Sequence, residues 1–218
     1  MLLSRRGASS LVNPATTVAN LIRMLSWVLV HWVEVLGFVT GAACVLLAAR
    51  RNVWTYPIGI ANNVAFAVLF IVNGLYAAVG LQIVFLALGA HGWYRWTHGL
   101  EQDRGYVAHT PRAAIAPLTG AAVGVTLTLA WVLATFTDST VVVPDAATTA
   151  VSLVAQYMLN RKWIETWFVW IVADIGYIIL YVWTGLWITA ALYLVFIGLC
   201  VAGFASWRRV ERDVRALV

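Results

Sequence analysis

The sequence predicts an all-α membrane protein with seven transmembrane helices, arranged as two parallel three-helix repeats around one linking helix, a 3+1+3 plan. Three observations predict it. Of 218 residues, 62% are hydrophobic and only 11% charged, whereas soluble domains are nearer half apolar and a quarter charged. The apolar residues fall into seven runs of about 20, the length that crosses a hydrocarbon core as a helix. One stretch of the chain also recurs 111 residues later.

The elements follow in order. Residues 1–26 form an N-terminal segment whose "MLLSRRGASSLVNPATT" lacks an apolar h-region, so no cleavable signal peptide is expected. The first repeat, 27–97, holds spans at 27–48, 54–73 and 78–97. Residues 98–137 are a loop and the linker helix, 113–136. The second repeat, 138–207, holds spans at 141–160, 164–183 and 186–207, and residues 208–218 are a basic tail. Long helical apolar runs separated by Arg- or Gly-containing turns match no soluble pattern.

Basic residues set the orientation. Arg50 and Arg51, then Arg95, Arg104 and Arg112, then Arg161 and Lys162, and finally Arg208, Arg209, Arg212 and Arg215 all fall on one side of a seven-span chain. The three opposite loops have no Lys or Arg; only Arg5, Arg6 and Arg23 in the N-terminal segment dissent. The positive-inside rule then places the N-terminus outside and the C-terminus in the cytoplasm, as expected of a multi-pass protein of a bacterial-type inner membrane. The formal charge of +5 is thus a topology signal and not a nucleic-acid footprint.

The repeat aligns "NGLYAAVGLQIVFLALGAHGWYRW" with "TGLWITAALYLVFIGLCVAGFASW". Gly74 meets Gly185, Leu75 meets Leu186, Leu81 meets Leu192, Phe85 meets Phe196, Gly92 meets Gly203 and Trp96 meets Trp207; upstream, Arg51 meets Lys162, Asn63 meets Asp174 and Glu34 meets Asp145. Ordered glycines, tryptophans and intramembrane polar positions in register say more than matching leucines. A three-helix unit would invert on direct fusion, and the fourth span restores its orientation. Parallel repeats of this kind place substrate near the bilayer midplane, between the halves.

Candidate site residues lie on polar stripes. Trp167, Trp170, Asp174, Tyr177 and Tyr181 are spaced 3, 4, 3 and 4, which puts them on one helix face. The second span repeats the stripe with Tyr56, Gly59, Asn63 and Phe66. The fifth offers Thr149, Ser152, Gln156 and Asn160, the third Gln82 and the seventh Tyr193. Intramembrane acids usually mark a pathway or ligand, so Asp174 is the principal candidate. Interhelical hydrogen bonding is the competing role for the neutral groups, and suits Thr149, Ser152 and Asn160 at least as well as a ligand contact. Trp167 is near enough to the span's start to be an interfacial anchor; Trp170 is a turn deeper. An acid beside indole faces suits a flat, cationic, hydrogen-bonding ligand, with amides such as Gln82 and Asn63 to meet hydroxyls or a carboxamide.

Cys44 and Cys200 sit in apolar runs, as small hydrophobes rather than a disulfide or metal site. No G-x-S-x-G, H-E-x-x-H or G-x-x-x-x-G-K-[ST] occurs, so an enzyme is not expected, and neither is a cofactor. His31 and Glu34, at i and i+3 in "HWVE", are the feature of a competing proton- or metal-coupled carrier, and are a weak metal signal.

The motifs "GLQIVFLALGAHGWYRW", "NRKWIETWFVWIVADIGYI" and "TGLWITAALYLVFIGLCVAGFASW" resemble those of the PnuC-type vitamin transporters, chiefly nicotinamide riboside carriers, over most of residues 28–210. The resemblance implies a SWEET-like architecture, a duplicated form of small bacterial sugar carriers. It also implies a central site lined by Trp167, Trp170, Gln82, Asn63 and Tyr193, and facilitated diffusion with cytoplasmic phosphorylation trapping the substrate. Tyr177, Gln156 and Asn160 join Asp174 as further candidates from the stripes. Several family members have Asn where this chain has Asp174. Nicotinamide riboside and thiamine both have a fixed positive ring and rank first and second; neutral riboflavin ranks third. The expected partners are such a small cationic vitamin and the lipid bilayer, without nucleic acid; a homo-oligomer is compatible with the sequence.

Overall fold

The computed structural model describes residues 36–72, 76–99, 107–137, 141–185 and 187–216. His31, Glu34, the N-terminal arginines, Arg104 and the pairs at Gly74, Leu75 and Leu186 lie outside the described residues. The chain divides into two compact units, Met1–Val39 and Thr40–Val218, and the site described below belongs wholly to the second.

The described residues form seven helices: α1, described over Leu36–Ala49, α2 (Thr55–Val72), α3 (Tyr76–His98), α4 (Arg112–Phe136), α5 (Val142–Asn160), α6 (Thr166–Trp183) and α7 (Trp187–Arg215). They fall within the expected spans to a few residues at most ends; α7 runs further, into the basic tail. Among the described residues, three stretches are long and apolar enough to cross a membrane: Arg112–Phe136, Thr166–Trp183 and Thr189–Val214. Leu127, Trp131, Val172 and Ile179 are exposed, an outward apolar surface that lipid tails match. Helix α2 packs on α3, α6 on α7, α4 on α5, and α5 also meets α6 and α3. Helix α4 has no buried residue.

The 111-residue recurrence reappears as geometry. After α1, Arg51 adopts a left-handed φ of 56°; after α5, Lys162 adopts 55°. Arg51 N–H donates to Ala48 O at 2.9 Å and Asn52 N–H to Leu47 O at 2.8 Å; Lys162 N–H donates to Leu159 O at 2.9 Å and Trp163 N–H to Met158 O at 3.1 Å. These are two copies of one Schellman turn, each closing a helix with a basic residue where glycine is usual. The next helix is then tied back by a threonine: Thr55 Oγ1 donates to Cys44 O at 2.9 Å, and Thr166 Oγ1 to Ala155 O at 2.8 Å.

An aromatic wedge follows in each copy. Tyr56 meets Trp96 edge-on at 5.2 Å and 84°; Trp167 meets Trp207 at 5.3 Å and 85°. Each wedge sits against a glycine, Tyr56 on Gly92 and Trp167 on Gly203, where any side chain would collide. Trp96 and Trp207 approach each other at 6.5 Å, so the two wedges share one core. Gly92 and Gly203 thus permit close helix approach, whereas nothing lies within 4 Å of a Cβ at Gly80.

At the end of the helices that carries the Arg51 and Lys162 turns, the segment before α4 is strapped to the α5–α6 turn. Ala108 N–H donates to Lys162 O at 3.1 Å and Ile164 N–H to Ala108 O at 2.9 Å. His109 then bridges two carboxylates, with Nδ1 2.6 Å from Glu165 Oε1 and Nε2 2.7 Å from Glu211 Oε1. Thr110 donates to Glu165 Oε2 through N–H and Oγ1, both at 2.8 Å. The bonds to Glu165 and then Glu211 raise the His109 pKa. Burial pushes Glu165 upward, but its bonds from His109 and Thr110 prevail and hold it below the usual range.

Candidate functional site

A cavity of about 310 Å³ opens among six helices, lined by residues of the second unit. Each helix contributes a stripe at helical spacing. Gly41, Cys44, Val45 and Ala48 come from α1, and Thr55, Gly59, Asn62 and Asn63 from α2 and its first turn. Helix α5 gives Ser152, Gln156 and Leu159, α6 gives Trp167, Trp170, Asp174 and Tyr177, and α7 gives Tyr193, Phe196 and Cys200; Phe85 of α3 completes the lining. A lining this apolar, with a few convergent polar groups, is the usual form of a small-molecule site.

Asp174 is 5% exposed, and its carboxylate belongs to the cavity wall rather than the lipid face. Its Oδ2 accepts a long hydrogen bond from Cys200 Sγ at 3.7 Å. Among the described residues no basic side chain pairs with it. A buried carboxylate without a counter-ion is costly, and a cationic guest would offset that cost. One turn outward, Tyr177, Tyr181 and Tyr193 cluster, with Tyr193 5.1 Å from Tyr177 and 5.3 Å from Tyr181. Phe196 continues this wall, 5.5 Å from Tyr193.

Seven of the nine sequence-predicted site residues line this cavity: Trp167, Trp170, Asp174, Asn63, Tyr193, Tyr177 and Gln156. The structure does not bring the other two, Gln82 and Asn160, to its wall. Gln82 lies on α3 with Oε1 buried and without a hydrogen-bond partner among the described residues. Asn160 is 1% exposed and locked in place. Its Oδ1 accepts from Tyr56 Oη at 3.2 Å and from Gln156 Nε2 at 3.1 Å, and its Nδ2 donates to Leu88 O at 2.8 Å. This is interhelical hydrogen bonding, which ties α5 to α2 and α3. Ser152 donates to Thr148 O at 2.9 Å, so its hydroxyl is turned to its own helix although the residue lines the cavity.

Trp167 departs from the interfacial-anchor expectation. It is 2% exposed, with the outer edge of its six-membered ring against Gly203 and its flank against Trp207. Trp170 is half-buried and also lines the cavity.

Sequence reasoning missed Cys200, Phe196, Cys44, Gly41 and Asn62. A signal existed: Tyr193, Phe196 and Cys200 are spaced 3 and 4, as in the α6 stripe, and Gly41, Cys44 and Ala48 repeat that spacing. Both cysteines are unpaired thiols, as expected, but Cys200 is a hydrogen-bonding neighbour of Asp174 and not only a small hydrophobe.

Comparison with known proteins gives a consistent result. The model of the family described as nicotinamide mononucleotide transporter matches residues 31–209. The nicotinamide riboside transporter PnuC of Escherichia coli K12 is 24% identical over 215 residues, covering 85% of this chain and 90% of that protein. The riboflavin/roseoflavin transporter RibM of Streptomyces davaonensis is 26% identical over 195 residues, covering 86% and 90%. Among solved structures, the crystal structure of the vitamin B3 transporter PnuC superposes with a TM-score of 0.66 at 19% identity, covering 96% of this chain and 94% of that one.

Proposed function

This chain belongs to the nicotinamide mononucleotide transporter family, and from that premise we propose that it takes up nicotinamide riboside by facilitated diffusion, through alternating access of the cavity around Asp174. One observation carries the choice of substrate: an unpaired, buried carboxylate beside Trp170 and the Tyr177–Tyr193 wall. A pyridinium ring offers fixed positive charge and a flat face, and answers both. Asn63 and Gln156 also line the cavity and can meet hydroxyls and a carboxamide. At about 310 Å³ the cavity is at the small end of ligand pockets, roughly 300–1,000 Å³. That size suits a two-ring nucleoside better than a tricyclic flavin with a ribityl tail.

The recurrence of turn, threonine tie and aromatic wedge at a spacing of 111 residues supports two parallel three-helix units with α4 between them, the SWEET-like 3+1+3 plan. Two such units rocking about the cavity give alternating access without an energy-coupling partner. The distribution of arginines supports a bacterial-type inner-membrane protein with an outer N-terminus and a cytoplasmic C-terminus.

Calorimetry on the purified chain tests the reading with nicotinamide riboside, thiamine and riboflavin, in the natural sequence and in Asp174→Asn. A charge pair at about 4 Å is worth roughly 4 kcal/mol at an effective dielectric of 20, and the amide recovers part of it by hydrogen bonding. The expected outcome is nicotinamide riboside bound most tightly, with at least a tenfold loss in Asp174→Asn. Tight riboflavin binding that is indifferent to Asp174→Asn would refute the reading. RibM, a relative named for riboflavin, makes that the result to exclude first.

A further inference from the structure

A second hollow lies apart from the cavity around Asp174 and shares no lining residue with it. It is an open groove of about 390 Å³ between α4, α5 and α6, walled by Ile115 and Ala122 of α4, Val151 and Met158 of α5 and Val169 of α6. One end is polar, at Thr110 and Glu165, where the strap meets α6. From that end the two longer walls are written at helical spacing: Arg112, Ile115, Thr119 and Ala122 on α4, and Arg161, Met158, Val154 and Val151 on α5, each 3, 4 and 3 apart. Each wall is thus an apolar stripe that begins with an arginine at the polar end. From Ile115 to Ala122, and from Met158 back to Val151, the helices rise about 10 Å, against about 15 Å for the hydrocarbon of one leaflet. Arg112 is exposed, and Arg161 rests over the Trp163 ring at 5.4 Å. Among the described residues neither arginine pairs with a carboxylate. Glu165, the carboxylate in the groove, has its oxygens taken by His109 and Thr110.

We propose that this groove holds one phospholipid with a net negative headgroup: an acyl chain lies along the apolar walls, and the phosphate sits between Arg112 and Arg161. The walls offer water no partners, and lipid is the solvent at this depth. Guanidinium forks suit a phosphate, and a basic mouth between membrane helices is the form that an anionic headgroup site takes. The lipid has a structural task. Helix α4 packs on α5 but buries no residue of its own, so a chain seated between α4 and α6 gives this helix a second wall to rest on. The inference does not depend on what the central cavity carries.

Native mass spectrometry and thermal unfolding of the delipidated full chain, at low salt, test this with phosphatidylglycerol, phosphatidylethanolamine and phosphatidylcholine of matched chains. Phosphatidylglycerol is expected to stay on as one tightly held adduct per chain and to raise the melting temperature, at concentrations about thirtyfold below those that the two neutral lipids need. Arg112→Gln with Arg161→Gln should erase that preference, at about fivefold per arginine. Arg209→Gln, which removes an exposed cation of the tail outside the groove, should leave the held adduct in place. Ala122→Phe fills the space between the walls; it should hold no lipid, and without lipid it should melt no lower than the natural sequence. If Ala122→Phe fails to fold, the arginine pair decides alone. Equal affinity for the three lipids, a preference that survives loss of both arginines, or an adduct that survives in folded Ala122→Phe would overturn the inference. So would a lipid-free dimer that Ala122→Phe dissociates, which gives the groove to a second copy of the chain.

Discussion

A single methyl group placed on Gly203 measures how tightly the second wedge is held. In Gly203→Ala the new Cβ would lie 2.5–2.7 Å from three carbons of Trp167. Carbon contacts settle at about 3.5–4.0 Å, so the indole must recede by about 1 Å. Trp207, 0% exposed and bonded through Nε1 to Ala48 O at 3.1 Å, blocks retreat on one flank, and the free volume left is the cavity. Overpacking of this kind costs about 1–3 kcal/mol, a factor of roughly 5 to 150 in whichever equilibrium bears it. Gly198, on the same helix, has nothing within 4 Å of its Cβ position. There Gly→Ala should stabilise α7 by about 0.5–1 kcal/mol through backbone entropy alone. Thermal unfolding in detergent and calorimetry with nicotinamide riboside, run on both variants, should therefore diverge: Gly203→Ala melts lower and binds at least about tenfold more weakly, while Gly198→Ala melts at the same temperature or higher and binds normally. Identical melting and affinity in the two would mean that Trp167 is not wedged against Gly203.

Other perturbations separate the structural from the ligand-facing polar groups. Asn160→Ala strands Tyr56 Oη and Leu88 O, and should cost about 1–3 kcal/mol in unfolding per orphaned group, with ligand affinity in the surviving folded protein within about threefold of normal; a large affinity loss at unchanged stability would restore Asn160 to the site. Thr55→Val and Thr166→Val remove equivalent ties and should each destabilise by about 0.5–1.5 kcal/mol, and a clear inequality in unfolding free energy would argue against the equivalence of the two turns. The His109 clasp should give stability a pH dependence of known sign. The His109 pKa is raised above 6.5, so its contribution is full below that value and fades as pH climbs through the raised one. Glu165 is lowered below 4.5, so its contribution is full above that value and fades as pH falls through the lowered one. The clasp is tightest between about pH 4.5 and 6.5. Because His109 is half-exposed, the effect should stay under about 1 kcal/mol; His109→Gln should abolish the alkaline loss measured by pH-resolved melting, and persistence of that loss in the variant would assign it elsewhere.

Much of this was legible because a membrane helix writes its faces into its spacing. Trp167, Trp170, Asp174 and Tyr177 share a stripe whatever surrounds them, and an acid in that stripe cannot face lipid cheaply. The cavity wall of α6 could thus be read without a structure. The matched pairs Arg51 with Lys162, Gly92 with Gly203 and Trp96 with Trp207 were legible for a second reason: a repeated turn and a repeated wedge need the same residue types at the same spacing.

What spacing along one helix cannot give is the thing its face meets. Asn160 and Gln156 lie one turn apart on α5, and both read as polar groups on one stripe. Asn160 is taken by Tyr56, from 104 positions earlier, and by the carbonyl of Leu88, 72 positions earlier, while Gln156 still reaches the cavity. The same limit hid the role of Trp167. A W-x-x-W pair suggests two stacking faces, and only the glycine 36 positions on, at Gly203, shows that one of the two rings is clamped. Tyr56 and Trp167 make the point most sharply, because they occupy equivalent places. With indole in place of phenol at one wedge, the polar atom has no hydrogen-bond partner among the described residues, whereas Tyr56 Oη has Asn160. A repeat fold needs only such a substitution for two equivalent wedges to differ in their bonding.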